Sequence, residues 1–254
     1  MTSTAPYAQP VAVVTGGSGG IGTAICRALA ARGFAVAVGY ASSAAEAAAL
    51  AAQLSPGDHA AFALPVTDGA ALAAGAQQVA SRYGRCDVLV NCAGKTRFVP
   101  HADLDALDDQ TIDDILSVNV RGAFAAVRAF RPMLRQSGLE GGGVVINISS
   151  TAAQSAIGSN VMYCASKAAL DNMTRSLARA LAPRIRVLSV SPGLVDTDFV
   201  HALDPAWRNE QASRTPLGRL SQPEEIARAV LAATTQLTFS TGSVLLVDGG
   251  RLLA

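Results

Sequence analysis

Short apolar, β-branched runs recur along the chain, each closed by glycine, proline or polar residues and followed by a stretch with helical spacing. Val11-Ala12-Val13-Val14 is the first and ends at a glycine cluster; a brief apolar run between turn signals reads as a strand buried on both faces. Ile21 to Ala31 predicts a helix that stops at Gly33, and Ala35 to Val38 a second strand. The alanine-rich Ala44 to Leu54 predicts a helix broken by Ser55-Pro56-Gly57-Asp58, followed by a third strand at Ala60 to Leu64 and a helix at Ala70 to Tyr83. Asp87 to Val90 is the fourth strand; a loop, a long helix from about Ile112 to Arg135 and glycines at 141 to 143 lead to the fifth, Val144 to Ile148. A helix from Val161 to Leu181 ends before Pro183, and Ile185 to Val190 and Val244 to Val247 complete seven apolar strands.

Strands alternating with helices predict an α/β fold: a doubly wound seven-stranded parallel sheet with helices on both faces, because parallel neighbours are joined by right-handed crossovers. Such sheets bind ligands at the carboxyl ends of their strands, where the strand order reverses. At 254 residues, half of them apolar, the chain suits one domain spanning 10–254, preceded by a frayed tail at 1–9. The formal net charge of +1 leaves no electrostatic footprint for nucleic acid or an anionic membrane. The first ten residues lack the basic and apolar regions of a signal peptide, and no apolar stretch is long enough to span a bilayer, so the expectation is a soluble, cytoplasmic protein. Cys26, Cys86, Cys92 and Cys164 show neither CxxC spacing nor a companion His cluster, which argues against a metal site and for reduced, packed thiols. His59, His101 and His201 are scattered and read as surface or loop residues without partners, and Met133, Met162 and Met173 as packing.

Five glycines between Thr15 and Thr23 link the first strand to the first helix. Gly16, Gly20 and Gly22 fit GxxxGxG, while Gly17, Gly19 and Gly22 fit GxGxxG, and spacing does not choose between them. Both patterns let backbone N–H groups approach a pyrophosphate at a positively polarised helix N-terminus. Thr23 after Gly22, where a P-loop has Lys, excludes that alternative. Near Tyr40 an acidic residue would bond a ribose 2'-hydroxyl; Tyr40-Ala41-Ser42-Ser43 offers only hydroxyls and small groups, which suits a 2'-phosphate and favours NADP(H) over NAD(H).

The chemistry centres on Ser150 and on Tyr163 and Lys167, four apart on one helix face. A phenol near pKa 10 is a poor acid-base catalyst at neutral pH, and a neighbouring ammonium is expected to lower it.

These residues resemble the short-chain dehydrogenase/reductase family over nearly the whole chain. Thr15 to Gly22 matches its TGxxxGxG, Asn91-Cys92-Ala93-Gly94 its NNAG, Asn119 its helical Asn, and Ser150 with Tyr163 and Lys167 its Ser and YxxxK. Ser191-Pro192-Gly193 with Thr197 resembles the segment covering the nicotinamide, and Asp248-Gly249-Gly250 the C-terminal signature. Pro216-Leu217-Gly218-Arg219 and Pro223-Glu224-Glu225 are similar to the 3-oxoacyl-[acyl-carrier-protein] reductase-like branch. Two positions depart from the pattern: Pro65 stands where many members have an adenine-side Asp, leaving Val66 and Asp68, and Gly19 stands where many NADP-dependent members have Arg.

The resemblance implies a Rossmann fold and hydride transfer between a nicotinamide and a ketone, 3-oxoacyl thioester or related carbonyl. Tyr163 would be the acid-base, Ser150 the holder of the substrate oxygen, Lys167 the residue that binds the ribose and lowers the Tyr163 pKa, and Asn119 the support of a water relay. Ser149 is the alternative for the serine role, and Asn119 could instead satisfy backbone groups. The dinucleotide would lie against Gly16, Ser18, Gly19, Gly20 and Ile21, Tyr40 to Ser43, Val66, Asn91, Ala93 and Gly94, Tyr163 and Lys167, and Pro192, Gly193, Val195 and Thr197. A substrate lid would span 194–217, with Trp207 touching substrate or anchoring the lid. The resemblance also implies a homotetramer or dimer. Arg121, Arg128, Arg131 and Arg135 suit either a docking patch for an acyl carrier protein or a solvated face. A non-catalytic, dinucleotide-binding redox sensor is the competing function, and the intact Ser150, Tyr163, Lys167 set argues against it.

Overall fold

The computed structural model describes residues 9–54 and 56–253, so the expected tail lies outside the described residues except for Gln9, whose Nε2 donates to the Gly33 carbonyl. The order is β1 (Val11–Thr15), α1 (Gly20–Ala31), β2 (Ala35–Tyr40), α2 (Ala44–Gln53), β3 (Ala60–Ala63), α3 (Gly69–Tyr83), β4 (Val88–Asn91), α4 (Asp109–Leu116), a π-helical turn (Ser117–Gly122) and α5 (Ala123–Leu134). It continues with β5 (Gly143–Ile148), α6 (Ala152–Ser155), α7 (Val161–Leu181), β6 (Ile185–Pro192), α8 (Asp198–His201), α9 (Pro205–Ser213), α10 (Pro223–Thr235) and β7 (Val244–Val247).

All seven strands pair in parallel in the order β3-β2-β1-β4-β5-β6-β7, so the order reverses between β1 and β4. The strands are apolar on both faces because both are covered. Val14, Val36, Val90, Ile146 and Leu188 meet Ile25 and Leu29 of α1, Leu50 of α2 and Val230 of α10. The alternate residues Val13, Ala37, Leu89, Val145 and Val187 meet Leu72 and Val79 of α3, Phe130 and Leu134 of α5 and Ala178 of α7. Each such fully buried aliphatic side chain contributes about 1.5–3 kcal/mol of transfer free energy.

The apolar ladder ends in a polar row. Thr15 pairs in register with Asn91, Asn91 with Asn147 and Asn147 with Ser189. Asn91 Nδ2 donates to Asn147 Oδ1 at 2.8 Å, Asn147 Nδ2 to Thr174 Oγ1 at 2.8 Å, and Thr174 Oγ1 lies 2.8 Å from Ser189 Oγ. This buried chain locks α7 onto the sheet one layer below the carboxyl ends of the strands.

Three expectations need correction. The long helix from about Ile112 to Arg135 is α4 and α5 joined by the π-helical turn, where one extra residue per turn re-aims Asn119. The sixth strand runs on to Pro192, because Ser191 and Pro192 still pair with Leu246 and Val247. The histidines have partners: His59 Nδ1 accepts from Val36 N at 3.1 Å, His101 Nε2 lies 3.2 Å from the Gly158 carbonyl, and His201 Nε2 lies 2.9 Å from Asp196 Oδ1. The arginines at 121, 128, 131 and 135 are all solvent-exposed.

Candidate active site

The site forms where the strand order reverses, at the carboxyl ends of β1, β4, β5 and β6. Thr15, the last residue of β1, fixes the loop after β4: its Oγ1 accepts from Cys92 N at 3.2 Å and Ala93 N at 3.3 Å. The glycine loop is close-packed on its inner side and open on its outer side. Gly16 has φ of 64° and its Cβ would stand 2.9 Å from Ala93 Cα, while a Cβ at Gly22 would lie 2.2 Å from the Gly16 carbonyl oxygen. Gly20 faces the Thr197 methyl, where a Cβ would come within 3.1 Å. Gly22 belongs to both frames and a Cβ at Gly17 would lie 3.0 Å from Val38 Cγ1, so what favours GxxxGxG is the positive φ of Gly16 and the open space at Gly19. A Cβ at Gly19 would meet only the Gly16 oxygen, at 3.5 Å, and one at Gly94 would have ordinary contacts with Asn119 Oδ1 and Lys167 Nζ at 3.7 and 3.9 Å.

Gly19 is the N-cap of α1 and no side chain caps it, whereas α3, α4, α7 and α9 carry Asp68, Asp108, Asn160 and Asp204 as capping acceptors. The unclaimed N–H groups beyond Gly19, with Ile21 half-buried against the core, suit a pyrophosphate. The residues present therefore fit a dinucleotide. At the end of β2, Tyr40 is half-buried, Ala41 and Ser42 are exposed, and Ser43 Oγ lies 2.9 Å from Ser18 Oγ, joining the two segments expected to flank a ribose. Val66 is buried against Gly122. Asp68 caps α3, its Oδ1 accepting from Ala70 N and Ala71 N at 3.0 Å each.

On the other side, Pro192 ends β6, Gly193 N donates to the Val247 carbonyl, Val195 bridges to Ser221, and Thr197 stands at the N-cap position of α8 without a side-chain capping bond. Residues 194–217 contain α8 and α9. Trp207 of α9 meets Phe98 edge-on, centroids 6.0 Å apart at 88°, so it ties this segment to the loop after β4. A feature the sequence did not signal is Arg251, whose Nη1 donates to the Gln211 carbonyl at 2.9 Å and to Thr215 Oγ1 at 3.2 Å, holding the far end of α9.

At the centre, Asn160 caps α7 by accepting from Tyr163 N at 2.7 Å and donates from Nδ2 to the Arg97 carbonyl at 2.8 Å, which fixes the turn that carries Tyr163 against the β4 loop. The Ser150 side chain neighbours the Tyr163 phenol and pulls its pKa down. Ser149 is buried and its hydroxyl faces the Lys167 carbonyl at 3.5 Å, so the serine beside the phenol is Ser150. Asn91 is buried in the polar row rather than exposed to the cleft. Asn119 Oδ1 accepts from Lys95 N at 2.8 Å, and its Nδ2 donates to the Lys95 carbonyl and Ser166 Oγ at 3.0 Å each. Both of its polar atoms thus serve the protein itself, which is the backbone-satisfying alternative for this residue.

The electrostatics correct one expectation. Burial raises the Tyr163 pKa, against the smaller opposing pull of the neighbouring Ser150 side chain, so the phenol is held protonated at neutral pH. Lys167 does not reverse this: its ammonium stands 5.6 Å from the ring centroid and donates to the Ile148 carbonyl at 2.8 Å, and burial lowers its own pKa to about 8. Burial also pushes the Cys92 thiol up to about 12.

A family model described as enoyl-(acyl carrier protein) reductase matches residues 16–251. A protein of Streptomyces violaceoruber assigned as ketoacyl reductase 2 of granaticin polyketide synthase is 40% identical, with 100% of each chain covered. The 3-oxoacyl-[acyl-carrier-protein] reductase of Staphylococcus aureus is 35% identical, covering 95% of this chain and 98% of that one. The structure of a short-chain dehydrogenase/reductase from Serratia marcescens superposes with a TM-score of 0.86 at 36% identity, covering 97% of this chain and 99% of that one.

Proposed function

Because the chain belongs to the short-chain dehydrogenase/reductase family, we propose that it interconverts a carbonyl and a secondary alcohol with NADP(H), using Tyr163 as the acid-base. The observation that carries this reading is the Tyr163 phenol with the Ser150 hydroxyl next to it and the buried Lys167 ammonium 5.6 Å from its ring, together with an uncapped helix N-terminus at the glycine loop. Hydride delivery and acceptance is the chemistry a bound nicotinamide supplies. Tyr163 gives its proton to the substrate oxygen in reduction and recovers it in oxidation, and its raised pKa suits the acid role. Ser150 holds the same oxygen through its hydroxyl. Lys167 is positioned beside the phenol to hold the nicotinamide ribose, and Asn119 keeps the Lys95 backbone and Ser166 in place around it. Gly16 to Ile21 cradle the pyrophosphate, and residues 194–217 serve as the lid.

NADP(H) is favoured because no carboxylate stands at the end of β2, where the Ser18–Ser43 pair and exposed Ser42 leave hydroxyl donors. Thermal stabilisation should be several degrees with NADP(H) at concentrations where NAD(H) gives none; the reverse ranking would reject this preference.

For substrate, a 3-oxoacyl thioester or polyketide-type ketone is the reading that fits the exposed apolar residues on the segments flanking Tyr163: Phe98, Ile157, Val161 and Leu217. The relatives that reduce oxoacyl groups by name support it. A panel of 3-oxoacyl thioesters, cyclic ketones and polyols decides: oxoacyl thioesters and apolar ketones should be turned over with kcat/KM at least about tenfold above the polyols. Faster polyol oxidation would exclude the oxoacyl reading.

A further inference from the structure

The chain has only two lysines, Lys95 and Lys167, against 18 arginines, so the one ammonium at the catalytic centre stands in unusually simple surroundings. It is 6% exposed and its hydrogen bond goes to a neutral group, the Ile148 carbonyl. Burial favours loss of its proton, which is why its pKa falls to about 8.

The titratable groups that face Lys167 are Tyr163 and Asp171 from its own helix and Cys92 from the loop after β4; β5 presents the Ile148 carbonyl. Tyr163 and Cys92 are both held neutral by burial in the range where Lys167 titrates. Asp171 remains. It lies one helical turn beyond Lys167 on α7, is 4% exposed, and its Oδ1 is buried with no hydrogen-bond partner among the described residues. A carboxylate with one oxygen shielded from water and without a hydrogen bond favours a positive charge nearby, and Lys167, one turn away and outside direct ion-pair contact, is placed to supply it through space. The contrast with Asp87 is direct: that equally buried carboxylate accepts from Val11 N, Arg85 and Ser137.

We infer that Asp171 is a positioning residue of this centre: its buried carboxylate is the fixed counter-charge that keeps the Lys167 ammonium protonated beside Tyr163. This rests on the role of Lys167 proposed above. Neither Asp171 nor Ser191, whose hydroxyl is likewise buried without a partner on β6, forms part of the cleft wall; Asp171 acts through Lys167 alone.

The two-lysine composition makes a direct test available. The full chain grown on lysine labelled with carbon-13 at Cε gives two resonances, and the signal lost in Lys95→Arg identifies the other as Lys167. Asp171→Asn is expected to move the Lys167 midpoint down by about one pH unit, with the alkaline limb of kcat/KM moving down by the same amount. Asp171→Glu, which keeps the charge, should hold both near their wild-type positions. A Lys167 midpoint unchanged in Asp171→Asn, or lowered equally in Asp171→Glu, would overturn the inference. If Asp171→Asn fails to fold, Asp171→Ser is read in the same way. Because the resonance titrates whether or not a substrate is found, a protein without turnover but with a shifted Lys167 would refute the proposed reaction and leave the counter-charge standing.

Discussion

Tyr163→Phe should lower kcat/KM by about 10²–10⁴-fold, the usual worth of a positioned acid-base, while leaving the melting temperature within about a degree of wild type. The substitution removes only the phenolic hydroxyl, whose neighbour is the Ser150 side chain. The ring, which fills the space beside Gly158, and the Asn160 cap on the Tyr163 amide both remain. Thermal stabilisation by NADP(H) should persist, because the phosphate cradle of Gly16 to Ile21 lies on another element. A variant that turns over normally would remove Tyr163 from the mechanism, and one that no longer folds would show that its hydroxyl is structural.

The second large effect is on stability, at the opposite end of the sheet. Asp87 is fully buried just before β4 and accepts from Val11 N at 2.8 Å, from Arg85 Nε and Nη2 at 2.8 Å each, and from Ser137 Oγ at 2.6 Å. It thereby ties the starts of β1 and β4 to the turn after α5. Asp87→Ala leaves the buried Val11 N–H without its acceptor. Arg85 keeps part of its guanidinium in water, its side chain being 22% exposed, which places the loss at the low end of the range for broken buried pairs: about 3 kcal/mol. For a chain of this length that is a fall in melting temperature of about 6–12 °C, with kcat/KM below the transition unchanged. A loss under about 1 kcal/mol in urea unfolding would mean that Asp87 is incidental to the sheet.

The fold was legible wherever apolar periodicity alone decides it. β7 and α7 fall at the residues their patterns predict, because a run of Val and Leu between turns and a stop before Pro183 leave little choice. β6 was under-read for the opposite reason: Ser191 and Pro192 look like loop residues, yet their partners on β7 keep them in the ladder. The π-helical turn left no trace, since Ser117 to Gly122 fits an ordinary helix and the extra residue is accommodated by packing rather than by composition. At the proposed site, Thr15 to Gly22, Ser150, Tyr163 and Lys167 were visible because the proposed chemistry demands those residue types at those spacings. The roles of Asp87, Asp171 and Arg251 were not, because each depends on groups far away in sequence or on burial. The same limit explains the Tyr163 correction: spacing reveals a nearby ammonium but not how dry the phenol is, and here desolvation sets the direction of the shift.

The most direct test of the proposed reaction is a mass balance in which wild-type protein, NADPH and a 3-oxoacyl thioester are mixed and both cofactor and product are counted. The expected result is one secondary alcohol formed for each NADPH consumed, with both falling together in Tyr163→Phe. Stabilisation by NADPH without its consumption, across carbonyls in one direction and alcohols with NADP in the other, would contradict it and identify a dinucleotide-binding protein that does no redox chemistry.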